Sequence, residues 1–69
     1  MNENRIEQEF IDCIRFICGF PEARTTISKQ AVNYWLKNSS DTVFVNGKLR
    51  QVVFIPITQE VYKVYTETI

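Results

Sequence analysis

The chain has no histidine, only two glycines, two prolines and two cysteines, and no net charge. Without histidine there is no Ser-His or Cys-His couple to activate a nucleophile, and no imidazole to complete a zinc site. The two cysteines, Cys13 and Cys18, are five residues apart. On a helix that spacing is a rotation of about 500°, so the thiols point in different directions and cannot be bridged. They read as reduced, buried side chains. Two glycines leave no Gly-rich loop to cradle a phosphate. The longest near-apolar stretch, residues 52–57, is far short of the ~20 residues of a membrane-crossing helix. The opening MNENRIEQEF is acidic and lacks the apolar segment of a secretion signal. These absences lead to the expectation of a cytoplasmic domain that is not an enzyme. It needs no cofactor or metal, takes no small-molecule substrate and does not enter a membrane.

What is present is an ordinary globular composition, 45% hydrophobic and 23% charged, in 69 residues. That length makes residues 1–69 a single domain. So short a chain buries only ~60% of the surface its unfolded form exposes, so its stability is a few kcal/mol unless a partner adds to it. A homodimer is one remedy. The zero net charge hides a gradient. Residues 1–23 hold Arg5 and Arg15 against Glu3, Glu7, Glu9, Asp12 and Glu22, a net of −3. Residues 24–50 hold Arg24, Lys29, Lys37, Lys48 and Arg50 against Asp41, a net of +4. Residues 51–69 hold Lys63 against Glu60 and Glu67, a net of −1. Charges more than ~10 Å away are largely screened, so a basic middle third could meet a polyanion locally.

Hydrophobic spacing divides the chain. Ile6, Phe10, Cys13, Ile14 and Ile17 recur at three- and four-residue steps and predict a helix over 4–18, with Gly19 as its stop and Pro21 preventing continuation. GFPEARTT reads as a loop or one turn. Ser28 is a good N-cap for a second helix over 28–38, with Ile27, Ala31, Val32, Trp35 and Leu36 on its apolar side. Asn46-Gly47 between two strand-like runs calls for a type I′ hairpin over 42–55, pairing Val45 with Lys48, Phe44 with Leu49 and Val43 with Arg50. Phe44 and Leu49 are expected to face the core, and Lys48 and Arg50 the other side. Alternation ceases from Val52, so that end of the strand is expected to be covered on both faces. After Pro56, Thr58 reads as the cap of a last helix to about Glu67, with Ile57 stapled onto Tyr62 and Val61 and Tyr65 on one side.

The segment TISKQAVNYWL resembles the recognition half of the helix-turn-helix in Cro-type repressors and related phage and mobile-element regulators. Ile27, Ser28, Lys29, Gln30, Ala31, Val32, Asn33, Tyr34 and Trp35 follow that pattern in order. Glu22 stands where the preceding helix of the motif has a small residue, and Thr26 where its turn has Gly. A two-stranded ribbon after a recognition helix is also how winged helix-turn-helix proteins and small excisionases add a second contact. The resemblance implies an α+β, helix-turn-helix-like domain of order α-α-β-β-α with a β-hairpin wing. It implies a small transcriptional regulator or excisionase-like protein that binds duplex DNA. Gln30 and Asn33 would then read base edges, helped by Ser28, Lys29, Tyr34 and Lys37, while Arg24, Asn46, Lys48 and Arg50 meet the backbone. The alternative is a phage- or mobile-element-encoded module that binds a host or defence protein without contacting DNA. It is favoured by the zero net charge, by five Phe, three Tyr and one Trp in a short chain, and by the unalternating 52–57 run. A third possibility is a homodimer pairing through the last helix.

Overall fold

The computed structural model describes residues 2–69, with side chains from Asn4 onward. Its elements are α1 (Asn2–Gly19), β1 (Thr25–Ser28), α2 (Lys29–Asn38), β2 (Thr42–Val45), β3 (Lys48–Pro56) and β4 (Val61–Thr68). The strands form one antiparallel sheet of order β1-β4-β3-β2. The class is α+β as expected, but the order is α-β-α-β-β-β rather than α-α-β-β-α. No helix is long and apolar enough to cross a membrane among the described residues.

The two helices form where their spacing places them. Ser28 caps α2 by accepting the Ala31 N–H at 3.2 Å on its hydroxyl oxygen. Ala31, Val32 and Trp35 of α2 and Cys13 and Ile17 of α1 are buried against Ile27, Val52 and Val64 of the sheet. Trp35 stands at the centre, edge-on to Phe10 of α1 at 5.0 Å and to Phe54 of β3 at 5.1 Å. Its indole N–H donates to the Ser40 carbonyl at 2.9 Å, which satisfies the one polar atom that burial would leave unpaired. Both cysteines are free, Cys13 buried and Cys18 half-buried.

The hairpin has the expected register, Val45 with Lys48, Phe44 with Leu49 and Val43 with Arg50. Asn46 and Gly47 take the positive φ values, 53° and 78°, that the two-residue turn requires. The facing is the reverse of the expectation. Side chains alternate along a strand, so Arg50 shares a face with Val52 and Phe54, and that is the face the helices cover. Phe44 and Leu49 therefore point away from the core, and Arg50 points into it.

Two elements overturn the expected order. Thr25–Ser28 is an edge strand paired with Val61–Val64, where Thr25 and Thr26 are expected in a loop and Ile27 on the apolar side of the second helix. Residues 61–68, read as a helix, are the strand between β1 and β3. Tyr62, Val64 and Thr66 face inward at strand spacing, and a β-branched and aromatic run flanked by two partner strands fits a pleated surface better than a helix. Thr58 does not cap a helix. Its hydroxyl oxygen accepts the N–H groups of Glu60 and Val61, both at 3.1 Å, and shapes the β3–β4 turn. Ile57 and Thr58 donate back to the Val61 carbonyl and close that turn. Ile57 is exposed rather than stapled to Tyr62, and because Val61–Thr68 is a strand the expected pairing of two copies through a last helix is lost.

Candidate functional site

The residues expected to meet DNA are distributed over four places. Lys29, Gln30, Asn33 and Lys37 lie exposed along α2. Tyr34 is half-buried, its ring 5.4 Å from that of Phe10. Asn46 and Lys48 are exposed at the hairpin tip. Arg24 is on the far side of the sheet, its guanidinium 4.9 Å from the centre of the Tyr65 ring. Ser28 and Arg50 are engaged inside the fold.

Ser28 fastens α1 to the start of α2. Its backbone N–H donates to one carboxylate oxygen of Glu9 at 2.7 Å and its hydroxyl to the other at 2.9 Å. A carboxylate just ahead of a helix N-terminus also meets the positive end of the helix dipole. Glu9 in turn sits near Cys13. Burial pushes the Cys13 thiol from its usual 9.0 up to about 12, and the Glu9 charge adds to the effect.

Arg50, only 8% exposed, ties the α1–β1 loop to the sheet. Its Nε donates to the Thr66 hydroxyl at 2.8 Å, and one Nη to the carbonyls of Thr66 and Pro21 at 3.2 and 3.3 Å. The Thr66 hydroxyl donates to the same Pro21 carbonyl at 2.9 Å. The ion pair with Glu22 is long, 3.4 Å, and the Glu22 side chain is exposed. An arginine so engaged is not offered to a phosphate, which corrects its placement on a solvent-facing wing.

Among the described residues there is no helix-turn-helix. A strand, β1, precedes α2 where the motif needs a short helix. The polar side of α2 lines a groove whose opposite wall is α1, with Gln30, Asn33, Tyr34, Lys37 and Asn38 facing Asn4, Ile6 and Glu7. The adjoining groove brings Glu9 and Asp12, together with Arg5, near Gln30, so that with Glu7 the carboxylates outnumber the guanidinium. These carboxylates would repel a phosphate backbone drawn to α2. The N-terminus of α2 and the hairpin tip also lie at opposite ends of the sheet. Lys29 donates its backbone N–H to the Glu60 carbonyl in the β3–β4 turn. The tip lies beyond the other end of β3, roughly 26 Å away at ~3.3 Å per residue.

A different surface is built by the strand register. On the face away from the helices, Phe44 pairs with Leu49, Val53 with Tyr65, Ile55 with Lys63 and Gln51 with Glu67. Phe44 is 72% exposed, Leu49 41% and Ile55 40%. Neither helix lies over this face among the described residues; the buried core is entirely on the other side. The apolar residues form a stripe along β3, with Tyr65 and its Arg24 cover on one flank and Phe44 on the other. Lys63 and Glu67 stand two residues either side of Tyr65 on β4. The unalternating 52–57 run points to an apolar patch in the protein-binding alternative, but the expectation that residues 52–55 are covered on both faces, and that Phe44 and Leu49 face the core, hides the extent of this surface. The loss of alternation at Val52 was the available signal. Comparison with family models, with curated proteins and with solved structures gives no match for this chain.

Proposed function

We propose that this chain is a cytoplasmic protein-binding module that docks through the uncovered face of its sheet. The observation that carries this reading is the row of apolar side chains on that face, Leu49, Val53 and Ile55 with Phe44 and Tyr65 beside them, held on paired strands with no helix above. An exposed apolar patch on a fixed backbone, rimmed by Arg24, Lys63 and Glu67, is the pattern of a protein interface. The zero net charge agrees with it, since there is no overall field to gather a polyanion. A duplex-DNA reader is the second reading, and its support is the exposed row Lys29, Gln30, Asn33 and Lys37 on one side of α2.

One experiment separates them. A photo-reactive benzoylphenylalanine is placed at Ile55 in one version of the chain and at Asn33 in another, and the products formed in cells that express the chain natively are digested with protease or nuclease. Protein adducts at position 55 are the expected result. No adduct at 55 together with nuclease-sensitive adducts at 33 would overturn the docking reading in favour of DNA.

A further inference from the structure

Resting on the docking reading, we propose that the occupant of the outer face is a second copy of this chain, stacked face to face about a two-fold axis that passes over Tyr65. The first support is shape. β3 has nine residues, β4 eight, and β1 and β2 four each; at ~3.3 Å per residue and ~4.8 Å between strands they make a flat face of roughly 400 Å². Two such faces together cover on the order of 800 Å², the scale of a weak, concentration-dependent contact. The helix layer has no comparable flat apolar area, because its apolar side is already spent on the core.

The second support is charge. A two-fold axis in the plane of the interface, perpendicular to β4 at Tyr65, reverses strand direction from one copy to the other. Lys63 and Glu67 are equally spaced about Tyr65, so the axis sets Lys63 of each copy over Glu67 of the other. The β3–β4 register extends the match. Val53 meets its own counterpart, Ile55 covers the aliphatic part of Gln51, and exposed Leu49 comes toward exposed Ile57. Arg24 is the one like-charge contact. Its guanidinium lies over the Tyr65 ring, so the axis brings the two Arg24 side chains together, a repulsion that the two Lys63–Glu67 pairs have to outweigh. A closed, self-complementary contact of this kind ends at two copies. It also supplies what a 69-residue chain lacks, since association stabilises the folded state.

The test is a charge swap read by light scattering and sedimentation. The wild type at about 100 µM should have twice the 8.1 kDa mass of the chain. Lys63→Glu alone and Glu67→Lys alone each create two like-charge contacts, and each should weaken self-association about tenfold or more. Mixed together, those two variants should form a one-to-one heterodimer, and the double variant Lys63→Glu, Glu67→Lys should regain wild-type affinity. A residue needed only for folding would show neither rescue. A wild type that is monomeric at this concentration overturns the second-copy inference. If photo-adducts to a different protein still form at position 55, the docking reading survives that failure; if position 55 gives no protein adduct, the docking reading falls as well. A dimer indifferent to both charge reversals overturns the proposed two-fold.

Discussion

The two faces of the sheet are nearly equal in apolar content and opposite in fate. The inner face presents Ile27, Val43, Val52, Phe54, Tyr62 and Val64, and two helices close over it. The outer face presents Phe44, Leu49, Val53, Ile55 and Tyr65, and no helix closes over it. Residue type does not choose between them. The choice is made by which face the helices can reach and fill at close-packed density. Trp35 fits between Phe10 and Phe54, and Arg50 reaches the Pro21 carbonyl that ends the α1 connection. Once those inward groups are placed, alternation along the strands exports Phe44 and Leu49 to the other side. The outer face is thus apolar without contributing to the core, and its residues are free to serve a partner.

The widest separation between the faces should appear on truncation. Trp35→Ala removes a fully buried side chain and should cost about 3–5 kcal/mol. That is most of the stability of so small a domain, about 5 kcal/mol at the lower end of the usual range. Phe44→Ser removes an aromatic ring of similar hydrophobicity from the outer face and should shift stability by no more than about 0.5 kcal/mol. Urea unfolding of the monomeric protein at high dilution measures both. A cost above ~2 kcal/mol for Phe44→Ser would mean that the outer face is part of the core, and the contrast between the faces would collapse.

How much of this contrast could be read from residues alone depends on how local each signal was. The helices and the hairpin register were legible because three-and-four spacing, a Ser cap and Asn-Gly act within a few residues. β1 was not, since TTIS is too short to show a period and becomes a strand only because Val61–Val64 lie beside it. In β4, Val61 and Tyr65 fit a helical step while Tyr62, Val64 and Thr66 fit a strand. Two flanking strands resolve the ambiguity, and neither is visible in the local sequence. The facing of the hairpin was lost for a related reason. β3 is apolar on both sides from Val52 onward, so parity was set by contacts with α2 and with residue 21. On α2, Ala31, Val32 and Trp35 are buried as their spacing predicts, while Leu36, expected beside them, is exposed. Thr26 and Glu22, the two departures from the motif, lie where the structure has a strand and a turn instead of a helix.

Arg50 sharpens the comparison from the boundary between the layers. It is a charged residue on the apolar inner face, tolerated because two carbonyls, a hydroxyl and a carboxylate receive its N–H groups. Arg50→Ala should cost about 2 kcal/mol, the scale of hydrogen bonds to a charged group, with the Pro21 carbonyl losing one of its donors. Glu22→Gln should change stability by less than ~0.5 kcal/mol, because its partner contact is long and its side chain is in water. Urea midpoints of the two variants decide the matter. The reverse ranking would show that the ion pair, rather than the carbonyl contacts, holds the loop.

The smallest effect is silent at neutral pH and belongs to the helix-covered side alone. In the folded chain the Cys13 thiol is raised from 9.0 to about 12 by burial, with the neighbouring Glu9 carboxylate adding to the rise. Below about pH 9 the thiol is protonated whether the chain is folded or not, and its titration contributes no slope. Between about 9 and 12 the unfolded chain gives up this proton first, so the folded state loses stability progressively as pH rises through that window. The comparison is differential, so that contributions from the rest of the chain cancel. Urea midpoints of the wild type and of Cys13→Ala are measured at about pH 8 and about pH 10.5, and the wild type should fall further between them. Equal falls would mean that water reaches the thiol. The helix layer would then be no better sealed at Cys13 than the outer face is at Phe44, and the difference between the two sides of the sheet would be one of contact rather than of solvent exclusion.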